Sequence, residues 1–157
     1  MTEFELPADL SFNRGQILDP QIYARENGCA SWLYLNGEEF ASMDGGISYD
    51  QVRAAVPHSA NVISDPPRVL DLDLARRHVN ALDELPRPTL ISCRTGPRAS
   101  AVAYMYAGLK QGVHPDEILA AAEEADAPFF RVPEYRDWVK SSIETLSESV
   151  GGSQSDL

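Results

Sequence analysis

Three short segments, the apolar run "WLYL" at 32–35, "ANVIS" at 60–64 and "TLIS" at 89–92, read as strands and alternate with longer segments that carry helix punctuation. Runs of four or five residues have strand length, and an uninterrupted apolar run fits a strand covered on both faces. Strands that alternate with helices imply layers of helix over a mostly parallel sheet. The sequence therefore predicts a single α/β domain, with a mostly parallel central sheet flanked by helices.

The helical segments are bounded by residues with physical reasons to be there. Asp19 reads as an N-cap with Pro20 at the first helical position, and Gly28 stands just past the end of "PQIYAREN". Ser48 caps "YDQVRAAV", and "LDLARRHVNALDEL" places Leu72, Ala75, Val79 and Leu82 on one face. A helix starts at or near Arg98 and stops at Gly112; another opens at Pro115 with Asp116 and Glu117 in its first turn, where the dipole favours them. The segment "VPEYRDWVKSSIETL" reads as a closing amphipathic helix, and "GEEFASMDGG" as a polar loop. The prolines of "DPPRVLD" make a rigid turn. Residues 1–11 read as a loosely held arm, 12–146 as the α/β domain, and 147–157 as a disordered tail with little to bury.

Composition narrows the partners. With 24 acids against 13 bases, the net charge is −11, which repels nucleic acid and anionic membranes. No apolar run approaches a membrane span, and the acidic start "MTEFELPADL" lacks a secretory pattern, so a cytoplasmic setting is expected. Two cysteines, Cys29 and Cys93, are too few for a disulfide framework, and no spacing suggests a metal or cofactor site. Oligomeric state is not legible.

Against that acidic background, "CRTGPRAS" at 93–100 brings two arginines within six positions, at the end of a strand and the start of a helix. In parallel sheets ligands bind at this corner. A thiol attacks as thiolate, and loop N–H groups, the helix N-terminus and Arg98 are expected to lower the pKa of Cys93. The same donors would hold an oxyanion. Gly96 allows the tight turn. Cys93 and Arg98 are thus the candidate catalytic pair, with Arg94, Thr95, Gly96, Pro97, Ala99 and Ser100 as the substrate-binding loop. Cys29, without basic neighbours, reads as packing; His114 reads as a loop or capping residue before Pro115; His58 and His78 have no ligand spacing; and Trp138 reads as core.

"CRTGPRAS" before an apolar helix resembles the signature loop of cysteine-dependent phosphatases and of rhodanese-type sulfurtransferases. With "FNRGQILDPQIYAREN", "ASWLYLNGEE" and "ISYDQVRAAV" in the same order, the chain resembles the phosphatase-like domain of the beta-lactamase-hydrolase-like proteins, a dual-specificity-phosphatase relative. That resemblance implies a phosphatase-like fold, with Cys93 as nucleophile and Arg98 as anion ligand. The loop departs from the phosphatase pattern in three ways. It has four residues between Cys and Arg instead of five. Pro97 has no N–H, which leaves residues 94, 95, 96 and 98 as the expected donors. Ala99 follows the arginine where Ser or Thr is usual, with Ser100 one place later.

These departures favour sulfur transfer through a Cys93 persulfide, on a small anionic donor such as thiosulfate or a persulfide. The alternative is hydrolysis of a phosphate ester through a Cys93 thiophosphate. Asp65, 28 residues before Cys93 on the proline-stiffened turn, would then be the general acid. A third reading is an inactive anion- or protein-binding module.

Overall fold

Among the described residues four parallel strands, β1 (Leu10–Phe12), β2 (Ser31–Tyr34), β3 (His58–Asn61) and β4 (Thr89–Ser92), lie in the spatial order β1-β4-β2-β3. The structure, a computed structural model, describes residues 4–43, 46–64 and 70–155. Parallel neighbours need crossovers, and the intervening helices supply them: α1 (Pro20–Asn27), α2 (Glu38–Ala41), α3 (Tyr49–Ala55), α4 (Leu72–Glu84), α5 (Pro97–Gln111), α6 (Pro115–Glu124) and α7 (Pro133–Ser155). A 3-10 turn, Pro128–Arg131, joins α6 to α7.

Alternating side chains divide the core in two across the sheet. Trp32 and Tyr34 of β2 and Leu90 of β4 pack with Ile17, Phe40 and Val52 on the α1 and α3 side. Leu33, Leu35 and Ile91 pack with α4, α5 and α7 on the other. Both faces are covered, which is why β2 and β4 are buried at every position. Helix α5 is buried from Arg98 to Gly108, sheathed by the sheet and by α4, α6 and α7. Among the described residues no helix is long and apolar enough to cross a membrane.

The predicted caps are present. Asp19 accepts from the Gln21 and Ile22 N–H groups, and Ser48 forms a reciprocal capping box with Gln51. His114 Nδ1 accepts from the Asp116 N–H (3.1 Å) at the start of α6. Four local expectations change. Part of the expected loose arm is ordered: Phe4 is buried near Tyr104, and β1 pairs with β4 through Leu10↔Thr89. Segment 37–46 contains the short helix α2, whose Phe40 is drawn into the core. The β3 strand starts at His58 and ends at Asn61, earlier than "ANVIS", because it follows the register of β2. Helix α7 runs on to Ser155, through most of the segment expected to be disordered; once a helix is anchored, each added residue gains one hydrogen bond. The turn built on "DPPRVLD" falls largely on 65–69, outside the described residues.

Candidate active site

Strand β4 lies between β1 and β2 and delivers Cys93 to the carboxyl edge of the sheet. The last rung is firm: Leu35 N–H donates to the Ser92 carbonyl (3.0 Å), and the Trp32 indole N–H donates to the Ser92 hydroxyl (2.7 Å). The chain then turns through 94–96 into α5, with Gly96 at φ +119°. A side chain at 96 would be strained in that conformation, and its Cβ would lie 2.3 Å from the Asn13 carbonyl oxygen.

This turn wraps backbone donors around one sulfur. Gly96 and Ala99 N–H groups donate to Cys93 Sγ at 3.2 and 3.3 Å, and the Thr95 and Arg98 amides also favour the thiolate. The expected donor set is therefore corrected: it extends past 98, because the first turn of α5 brings the Ala99 N–H back onto Sγ. The expected pKa direction is corrected as well. Cys93 is 4% exposed, and burial pushes its thiol above the ordinary value despite the opposing pull of the four amides. The resting group is a thiol in a cradle already shaped for the thiolate.

Asn13, which the sequence reading did not single out, braces this loop. Its Oδ1 accepts from the Cys93 N–H (3.1 Å), and its Nδ2 donates to the Cys93 carbonyl (3.0 Å) and to the Gly15 carbonyl (2.9 Å). Gly15 N–H in turn donates to the Thr95 carbonyl (2.8 Å). The one available signal was the "FNRG" stretch itself, an amide side chain followed by a turn.

The other loop residues separate into rim and support. Arg94 and Thr95 are exposed at the mouth, Pro97 is half-buried, and Ala99 is buried. Ser100 is turned away from the sulfur: its hydroxyl donates to the Pro97 carbonyl (2.9 Å) and accepts from the Phe129 N–H (3.0 Å). Arg98 is 0% exposed, its guanidinium 5.4 Å from the Tyr135 ring centroid and 5.8 Å from that of Trp138. Its backbone N–H is among the amides that favour the Cys93 thiolate. Asp65 lies outside the described residues.

No family model and no curated protein matches this sequence. Solved structures do match the fold. The chain is similar to Tk-PTP (14% identity, TM-score 0.71), covering 91% of this chain and 95% of that one. It is also similar to a DUF442 protein from Shewanella putrefaciens CN-32 (18%, TM-score 0.63, covering 90% and 91%). A third is the core catalytic domain of the PP-IP phosphatase SIW14 from S. cerevisiae (12%, TM-score 0.57, covering 94% and 91%). The fold is thus phosphatase-like.

Proposed function

We propose that this chain is a cysteine-dependent phosphohydrolase acting on a phosphate ester. The observation that carries the reading is the convergence of the 96 and 99 N–H groups on the buried Cys93 sulfur, where the 95 and 98 amides also favour the thiolate. The preference for sulfur transfer rested on the four-residue interval, on Pro97 and on Ala99 after the arginine; the Ala99 N–H, one donor more than that interval supplies, supports the phosphohydrolase reading at the sulfur. Similarity to phosphatase structures over nine-tenths of the chain supports the same choice.

In this reading the phosphoryl oxygens occupy the mouth of the loop, where the α5 N-terminus and the loop amides favour negative charge. Sγ forms a bond to phosphorus as the ester P–O bond breaks. The thiol's single proton goes to the leaving oxygen, with Asp65 as its proposed carrier, so alcohol and Cys93 thiophosphate are the products. Water then cleaves the S–P bond, returning a proton to sulfur and releasing inorganic phosphate. No cofactor is required.

The test is turnover of an aryl and an alkyl phosphate by wild type, Cys93→Ser and Asp65→Asn, beside a thiosulfate:cyanide assay. Phosphate release by wild type, lost in Cys93→Ser, is expected; Asp65→Asn should slow the alkyl ester more than the aryl one. Rhodanese turnover with a persulfide adduct on Cys93, and no phosphate release, would overturn the reading in favour of sulfur transfer.

A further inference from the structure

A charged side chain buried this completely is costly unless its surroundings compensate it, and an apolar residue would pack there at less cost. Arg98 is nonetheless at full burial in the first turn of α5, one residue before Ala99. Two α7 rings, one turn apart, lie beside its guanidinium, and the electron-rich faces of tyrosine and tryptophan attract a cation. Trp138 is held in turn: its indole N–H donates to the Asp71 carbonyl (3.0 Å) at the cap of α4, and the His78 ring meets it edge-on at 5.8 Å. His78 is itself buried, with no hydrogen-bond partner for either ring nitrogen among the described residues, and stays neutral because burial, Arg98 and Arg77 all oppose its protonation. A second positive charge is thereby kept out of the arginine's surroundings.

We propose that Tyr135 and Trp138 are positioning residues that hold Arg98, and through it the first turn of α5, against Cys93. The inference rests on the reading of Cys93 as nucleophile. Arg98 links the two regions: its side chain reaches the α7 rings, while the N–H of the next residue, Ala99, donates to Sγ at 3.3 Å. A shift of the guanidinium rotates the helix start, and the 98 and 99 amides move with it.

A double-mutant cycle decides this. Trp138→Leu, Arg98→Met and the double variant are made in a Cys29→Ser background, which leaves Cys93 as the only thiol. Folding is checked by circular dichroism. The cycle is read twice, as kcat/KM on an aryl phosphate and as the rate of Cys93 alkylation by iodoacetamide across pH. Each single variant is expected to change both by about tenfold, the double variant by no more than Arg98→Met alone, and Trp138→Phe to recover most of the loss. Additive losses, or alkylation profiles identical to the parent's, would overturn the proposal. Should Trp138→Leu not fold, Tyr135→Leu takes its place in the same cycle. If the parent releases no phosphate, the phosphohydrolase reading fails, and the alkylation cycle still decides the role of the rings.

Discussion

The Asn13 carboxamide satisfies both backbone groups of Cys93, accepting from its N–H and donating to its carbonyl, across 80 positions of sequence. A carboxamide is the one side-chain group of this size that offers an acceptor and a donor side by side without charge. The loop after β1 is thereby fastened to the loop after β4.

Replacing Asn13 by Ala strands a buried N–H and a buried carbonyl, a loss of about 2–4 kcal/mol. Denaturant unfolding is expected to show that loss, and Cys93 alkylation to become less dependent on the folded loop. Asn13→Asp keeps the acceptor but sets a carboxylate beside the sulfur, so its thiol is expected to titrate higher still. An Asn13→Ala protein with wild-type stability and alkylation would show the brace to be idle.

Gly96→Ala puts a methyl group where the Asn13 carbonyl stands and forces a side chain into a left-handed backbone. Backbone strain of this kind costs about 1–3 kcal/mol. Because the 96 amide is one of the donors to Sγ, activity is expected to fall further than stability does. Comparing kcat/KM with the unfolding midpoint checks this.

The pH dependence follows from the raised Cys93 thiol. If the resting group is a thiol and the substrate a dianion, kcat/KM rises through the second phosphate pKa near ~6. It holds until the thiol itself ionises, above the ordinary value of about 8.5. A resting thiolate that needs a monoanionic substrate would instead lose activity above about pH 6. A pH–rate profile on an aryl phosphate separates the two, the expected result being activity retained to alkaline pH.

His78 makes the opposite prediction at low pH. Its folded-state pKa is lowered to about 3, by burial first and then by Arg98 and Arg77. The unfolded chain binds the proton first, so the stability this neutral ring contributes is complete above about pH 6.5 and is lost as pH falls towards 3. Wild type is expected to lose about 1.4 kcal/mol per pH unit in that window relative to His78→Phe. Parallel stability curves for the two proteins would refute it.

What could be read from the sequence was local in its physics. The Asp19, Ser48 and His114 caps and the glycine stops at 28 and 112 bond within a few residues, so each was legible and is present. The "CRTGPRAS" loop could be located because a strand-to-helix corner is itself a local event. β1 was missed because "LSF" is too short to signal a strand, and it becomes one only through pairing with β4. The role of Asn13 depends on the same distant pairing. The thiol's direction was misjudged because the amides are visible in sequence and the burial opposing them is not. The two rings beside Arg98 come from α7, some 40 positions onward, and nothing near the arginine announces them.

The edge position of β1 has a consequence for any shortened form of the chain. A fragment starting at α1 would retain every letter of "CRTGPRAS", the strands β2, β3 and β4 and most of both cores. It would nevertheless lack the amide clamp, and its thiol would sit in an unfastened corner. The geometry around Cys93 thus depends on the first strand in the sequence being seated beside the last.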